Sequence, residues 1–337
     1  MSTGIEQAGF KLAAVAEIDH DMASIHQANH RRTKHLLGAD GDIRSLSGRK
    51  VLHAAGLRKG ELQVLAGGIP CQGFSMNGKR DESDPRNSLW KHVPRLASET
   101  GAQMVVVENV PGMETLANGA FLQGLLAGLE RIGFQTTILR VDAANHGVPQ
   151  HRRRIFVVGA RDKVTDVPKQ EKKLGTWEAL RDLPEGLPTD PKTVAGLPYA
   201  APPTEYSASL RGQRKTVRDC GIVLHAKFLV ERFKELRAGE RDEPTRHKRL
   251  HARRPAYTML AGAKTITACR PIHPYKDRVL TVREGARLFG YPDSYRFGPT
   301  VQKSWYALGN SVPPPLARSV FTHLRRQLAA FGGQSAA

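Results

Sequence analysis

Residues 62–75 read Leu62-Gln63-Val64-Leu65-Ala66-Gly67-Gly68-Ile69-Pro70-Cys71-Gln72-Gly73-Phe74-Ser75, and this stretch decides the fold. Leu62 to Ala66 is a short apolar run that reads as a buried strand. Two glycines and a proline then stop the strand and force a turn. The result is a cysteine lifted on a loop at the carboxyl end of a strand, where open α/β sheets bind ligands. A thiol in that position becomes nucleophilic beside a cation or a helix N-terminus. Taken alone, a cysteine at such a turn is more often a buried filler. The rest of the chain decides between the two.

Upstream, Lys11 to Glu17 is a strand candidate ending in an acid, and a helix follows from Asp19 through Ala23, Ile25, His26 and Ala28. An acid at such a strand end suits a ribose diol, as in nucleotide-binding βαβ units. Gly41-Asp42-Ile43 is a turn signal whose Asp could accept from an adenine amino group, although Gly-Asp marks turns everywhere.

Downstream, residues 76–87 are polar and read as a mobile active-site loop. Asn87 or Ser88 can cap a helix from Leu89 to about Thr100. Gln103 to Val110 is a β-branched strand buried on both faces, with Glu108 near its carboxyl end. Desolvation beside the cysteine strand would push that carboxyl up and let it carry a proton near neutral pH. A helix spans roughly 119–131, and a strand from Gln135 to Val141 leads to Gln150-His151-Arg152-Arg153-Arg154 and a further strand, Ile155 to Gly159. Alternation puts Arg152 and Arg154 on one side, where paired guanidiniums suit a phosphate or a base carbonyl. The recurring strand–helix–strand order predicts a doubly wound α/β sheet.

The charge balance is strongly basic: 51 Lys and Arg against 32 Asp and Glu, a formal net charge of +19 in 337 residues. A polyanionic partner is expected, nucleic acid ahead of a membrane surface. The three cysteines, Cys71, Cys220 and Cys269, form no C-x-x-C pair, so neither a zinc site nor a disulfide framework is indicated. No apolar run approaches a membrane span and no signal-peptide core is present, so a cytoplasmic protein without metal is expected. From Lys163 to about Gly221 the chain is proline-rich. Tyr199, Tyr206, Arg211, Arg214, Lys215 and Arg218 there are residue types that stack on bases and bind phosphates. His225 to Arg237 has helical spacing, and a basic block follows with Arg249, Arg253 and Arg254. Thr281 caps a helix from Val282 to Phe289 with Glu284 in the capping-box position, and Gly309-Asn310-Ser311-Val312-Pro313 opens a last helix.

Six motifs in order resemble the cytosine-5 DNA methyltransferase family. They are Pro70-Cys71-Gln72, Glu108-Asn109-Val110, Gln150-x-Arg152-x-Arg154, Arg254-Pro255-x-x-Thr258, Leu280-Thr281-Val282-Arg283-Glu284 and Gly309-Asn310-Ser311-Val312. The match covers nearly the whole chain except about 165–220. The resemblance implies a Rossmann-like sheet that binds S-adenosylmethionine, with a smaller, irregular target-recognition region. It implies a catalytic domain over 1–162, recognition over 163–255 and a return to the catalytic domain over 256–330. Catalytic roles fall on Cys71 as thiolate nucleophile, Glu108 at the base N3, and Arg152 and Arg154 toward the base carbonyl. Glu17, Ile18, Asp42, Ile43, Pro70, Leu89, Asn310 and Ser311 would line the cofactor site. Gln72, Ser75, Arg211, Arg214, Lys215, Arg249 and Arg254 would contact double-stranded DNA. A monomer is expected, with a cognate restriction endonuclease as a candidate partner.

In one respect the chain departs from the family pattern. Family members open with a strand and a Phe-x-Gly-x-Gly loop around the methionine part of the cofactor. This chain starts with residues that resemble the sequence just after that loop. An internal start is the favoured account and a degenerate copy the other. The alternatives that stay open are a DNA-binding relative without catalysis and a tRNA cytosine-5 methyltransferase. The second of these has a family loop of the Pro-Cys-Gln-Pro-Phe type, where Gly73 stands here.

Overall fold

The computed structural model describes residues 1–70, 85–169, 173–186, 196–260 and 270–333. Cys71, Gln72, Ser75 and Cys269 lie outside these residues. In chain order the elements are α1 (Ser2–Gln7), β1 (Ala14–Glu17), α2 (His20–Asn29), β2 (Lys34–Leu37), α3 (Gly48–Ala55), β3 (Val64–Gly68), α4 (His92–Thr100), β4 (Met104–Asn109), α5 (Ala120–Glu130), β5 (Gln135–Asp142) and β6 (Arg153–Ala160). They continue with α6 (Thr176–Leu180), β7 (Leu197–Pro198), α7 (Glu205–Arg211), β8 (Thr216–Val217), α8 (Lys227–Glu235), α9 (Val282–Phe289), α10 (Val301–Asn310) and α11 (Pro314–Gly333). The chain divides into two compact units. One, the sheet unit, comprises Ile5–Asp142, Arg153–Pro168 and Ser319–Ala337. The other, the arginine-rich unit, comprises Met1–Gly4, Ala143–Arg152 and Lys169–Arg318.

In the sheet unit the four-stranded sheet has the order β3-β4-β6-β5, with β1 and β2 paired in a separate two-stranded sheet. β3 runs parallel to β4, and β1 parallel to β2. β6 is antiparallel to both neighbours, so the sheet is mixed rather than wholly parallel. The link from β5 to β6 is too short for a crossover helix, and only antiparallel strands can be joined so briefly. β4 is interior, and its Met104-Val105-Val106-Val107 run is buried, as a strand covered on both faces requires. Val105 and Val107 pack with Val93 of α4, Leu125 and Leu129 of α5 and Val157 of β6. α2 starts where Asp19 caps it, its Oδ1 accepting from the backbone N–H of Asp21 and Met22 at 2.9 and 3.1 Å. α4 begins at His92, later than the polar cap at 87 or 88 predicts. A 3₁₀ turn over Pro85–Lys91 precedes it, and Lys91 makes no side-chain cap bond.

In the arginine-rich unit α9 has the expected capping box: the Thr281 hydroxyl accepts from Glu284 N at 3.2 Å and Glu284 Oε2 accepts from Thr281 N at 2.7 Å. Burial alone would push the Glu284 carboxyl up, but Arg278 donates to both of its oxygens at 2.8 Å and holds it at about 2. Every residue of α9 is buried. Two of them are Arg283 and Arg287, and Leu250, Leu280, Leu288, Phe289 and Trp305 form the apolar core beside them. Arg287 bonds Asp182 and Asp293, and all three side chains are fully buried. Cys220 is buried at 1% exposure, which pushes its thiol up to about 12 and leaves it inert.

Candidate active site

In the sheet unit, candidate residues gather at the carboxyl ends of β3 and β4. Glu108 sits opposite Gly68 in the parallel ladder. A Cβ on Gly68 would come 3.2 Å from Glu108 Oε2, so glycine there makes room for the carboxylate. On the other side Arg154 of β6 reaches across, and its Nε lies 2.7 Å from Glu108 Oε1. Both side chains are mostly buried, 10% and 14% exposed, so the pair is shielded from screening. The next residue, Asn109, is 1% exposed and donates through Nδ2 to the carbonyl of Ile69 at 3.4 Å. That bond anchors the backbone two residues before Cys71. β3, β4 and β6 therefore fix an acid, a guanidinium and the root of the cysteine loop at one end of one sheet, where such sheets bind ligands.

A second group lies where β1 and β2 end. Glu17 closes β1, and Oε1 accepts from Asp19 N at 2.9 Å. Burial raises its carboxyl above the usual range. Ile18 beside it is 54% exposed, an apolar side chain open to solvent at a strand end. After β2 the chain turns through a 3₁₀ segment, Gly38–Gly41. A Cβ on Gly41 would lie 2.5 Å from the Glu17 carbonyl oxygen, so only glycine lets this turn press against the end of β1. Asp42 follows, gripped by Arg44 through Nε at 2.9 and 3.0 Å. The grip holds its carboxyl below the ordinary value. Ile43 packs on the sheet unit's core, as does Leu89, while Pro70 is exposed at the end of the described β3 loop.

Arg152 belongs to the arginine-rich unit and has a different setting from Arg154. It is 1% exposed and donates to the carbonyls of Met259 at 2.9 Å, Ser311 at 3.1 Å and Gly309. Its guanidinium also lies 5.0 Å from the Phe289 ring centroid. Arg152 thus pins the turn that contains Asn310 and Ser311, and the two guanidiniums expected to work side by side bind different partners. Gln150 works the same way, accepting from Met259 N at 3.1 Å and donating to the Leu288 carbonyl at 3.2 Å. The Thr258 hydroxyl donates to the His151 carbonyl at 2.6 Å. Asn310 is exposed, and the Ser311 hydroxyl donates back to Leu308 O at 2.8 Å.

Among the expected DNA contacts, Arg214, Lys215 and Arg254 are exposed and Arg211 is half-buried. Arg249 is 6% exposed and donates to the carbonyls of His273, Lys276 and Phe233 and to Asp277. It is an internal pin, not a surface cation. Sequence reasoning missed Tyr199–Asp293–Arg287 as a linked set, since its members are scattered along the chain. Among the described residues no group of histidine, cysteine and acidic side chains could hold a metal, and no helix is long and apolar enough to cross a membrane.

The likeness to known proteins runs over the whole chain. The type II methyltransferase M.XorII of Xanthomonas oryzae pv. oryzae is 33% identical, the alignment covering 97% of this chain and 82% of that protein. M.AgeI of Thalassovita gelatinovora is 26% identical over 95% of each chain. A crystal structure described as a candidate DNA modification methyltransferase from an E. coli prophage superimposes with a TM-score of 0.83 at 27% identity, covering 97% of this chain and 96% of that one. Fold and strand-end site together define a Rossmann-like DNA methyltransferase. The family model of C-5 cytosine-specific DNA methylases matches residues 1–326, and the chain belongs to that family of DNA cytosine-5 methyltransferases.

Proposed function

We propose that the protein transfers a methyl group from S-adenosylmethionine to C5 of a cytosine flipped out of a specific duplex site, through a covalent bond between Cys71 and C6. The observation that carries this reading is the Glu108–Arg154 pair at 2.7 Å beside the end of β3, where Asn109 ties Ile69 two residues before Cys71 in the sequence. Cytosine C5 is a poor nucleophile, and a thiolate added at C6 places an electron pair on C5. Glu108 would hold N3 and favour its protonation as the adduct forms. Arg154 orients Glu108 and would face the O2 side of the same ring. The reacting base has to leave the stack before Cys71 can reach C6.

The residues at the ends of β1 and β2 fit the cofactor's nucleoside. Glu17 would take ribose hydroxyls, Ile18 would cover a face of the adenine, and Asp42 would accept from its amino group. Pro70, Leu89, Ile43, Asn310 and Ser311 are the further candidates, with Arg152 as the positioning residue that fixes the 309–311 turn. When bound, S-adenosylmethionine supplies an electrophilic methyl. Loss of the C5 proton then breaks the S–C6 bond and returns Cys71 as thiolate. The type II names of the relatives support a restriction-modification setting, in which a cognate endonuclease would be the partner.

Duplex DNA carrying 5-fluorocytosine at the target tests the covalent step, because fluorine cannot leave as a proton does. A protein–DNA adduct that survives denaturing electrophoresis and needs S-adenosylmethionine is expected. An enzyme that methylates ordinary DNA yet forms no adduct would rule out Cys71 as nucleophile.

A further inference from the structure

The basic segment between Glu205 and Asp219 contains Arg211, Arg214, Lys215 and Arg218 and no acid. Its structure is more ordered than its composition suggests. α7 enters through a full capping box, Thr204 Oγ1 accepting from Ser207 N at 3.0 Å and Ser207 Oγ accepting from Thr204 N at 2.9 Å. The chain leaves through β8, where Thr216 pairs with Pro198 and Val217 with Leu197. Between them Gly212 turns the chain with φ of 56°, a left-handed value that favours glycine. Gln213, Arg214 and Lys215 form the exposed tip.

Arg211 grips that tip from inside. Its Nε donates to the Arg214 carbonyl at 3.1 Å, while its own carbonyl accepts from Arg214 N at 3.4 Å. Both backbone polar groups of Arg214 are therefore bound to one residue. The Arg211 guanidinium lies over the Tyr199 ring, its Cζ 3.8 Å from the centroid. The Tyr199 hydroxyl donates to Asp293 at 2.6 Å, and Asp293 is held by Arg287 through two bonds of 2.7 Å. A continuous chain of bonded groups thus runs from the buried core to the backbone of one exposed arginine. A surface arginine that only neutralises a phosphate needs no such support, because phosphate contacts tolerate a mobile stem. Bidentate reading of a guanine edge needs a fixed origin, since a guanidinium must meet O6 and N7 together.

We propose that Arg214 is a specificity-determining residue that reads a guanine in the major groove of the target duplex, with Arg211 and Tyr199 as its positioning residues. The proposal rests on the reading of the protein as a DNA methyltransferase. Arg211 spends one face on Tyr199 and its Nε on the Arg214 carbonyl, so the pair divides its labour: Arg211 fixes, Arg214 reads. Lys215, next to it, supplies a phosphate contact without sequence content.

The test uses the full chain and a randomised duplex pool, with two readouts: the motif enriched by binding, and the motif around methylated cytosines. Arg214→Ala is expected to relax one guanine position, cutting discrimination there by roughly 5- to 150-fold while other positions hold. Tyr199→Leu is expected to relax the same position, and Arg214→Lys to restore only part of it. Lys215→Ala should weaken binding evenly across sequences and lower the salt slope by about 1. An unchanged motif in Arg214→Ala, or no motif selected by the wild type, overturns the proposal. If the wild type selects a motif but transfers no methyl, the enzymatic reading fails, and the Arg214→Ala motif still decides the proposal on binding alone. Arg214 is exposed, so its substitution leaves the core intact, and a matched thermal midpoint checks this.

Discussion

Cys71→Ser is expected to lower methyl transfer by on the order of 10³-fold or more, the scale lost when a covalent nucleophile is removed, while duplex binding stays near wild type. The split follows from the roles. The hydroxyl of serine is far less ionised than a thiol at neutral pH and cannot add to C6 at a useful rate. Glu108, Arg154 and the basic residues proposed to contact DNA are untouched by the change. Rates come from single-turnover transfer of labelled methyl, and affinity from gel shift at fixed salt, since affinity for DNA has meaning only at a stated salt concentration. Sustained turnover by the serine variant would remove the covalent route.

The second large effect lies far from the chemistry. Asp293→Ala is expected to destabilise the arginine-rich unit by about 3–5 kcal/mol, because it removes the doubly bonded partner of a buried guanidinium and leaves Asp182 to face Arg287 without it. Arg287 is fully buried and donates to Asp293 at 2.7 Å through both Nε and Nη2, and to Asp182 at 2.9 Å. Burial pushes the Asp293 carboxyl up, but the bonds from Arg287 outweigh it and the net shift is down. Removing Asp293 also leaves the Tyr199 hydroxyl without its acceptor. Urea unfolding gives the number, and a midpoint within error of wild type would show the pair to be dispensable. Replacing Arg287, Asp182 and Asp293 together by apolar residues of similar volume should cost much less than the single change.

Local signals in the sequence carried well into structure. The Thr281–Glu284 capping box, the Asp19 cap and the β-branched run from Met104 to Val107 all sit where short-range rules put them. The place of Glu108 was legible, an acid near the carboxyl end of a buried strand next to the strand that leads to Cys71. Orientation was not legible. Nothing in the apolar run of β6 says that it is antiparallel to β4, which follows from how the chain returns from β5. The helix α10 went unread although Thr300 caps it and Val301, Trp305 and Leu308 follow helical spacing.

Charge was the most misleading signal. Arg152, Arg249, Arg283 and Arg287 count toward the net charge of +19, yet each is buried and bonded to carbonyls or acids. A guanidinium has five donors, and backbone carbonyls far apart in sequence can satisfy them, so composition cannot separate an internal pin from a DNA contact. The partners of Arg249 lie in Phe233, His273, Lys276 and Asp277, a set visible only once the chain is folded.

The most direct test of the central claim is transfer of labelled methyl from S-adenosylmethionine into duplex DNA by the chain as written, followed by bisulfite sequencing of the product. The account predicts incorporation at C5 of one cytosine within a defined short sequence, lost in Cys71→Ser. Label on an exocyclic amino group, or binding to duplex without any incorporation, would contradict it.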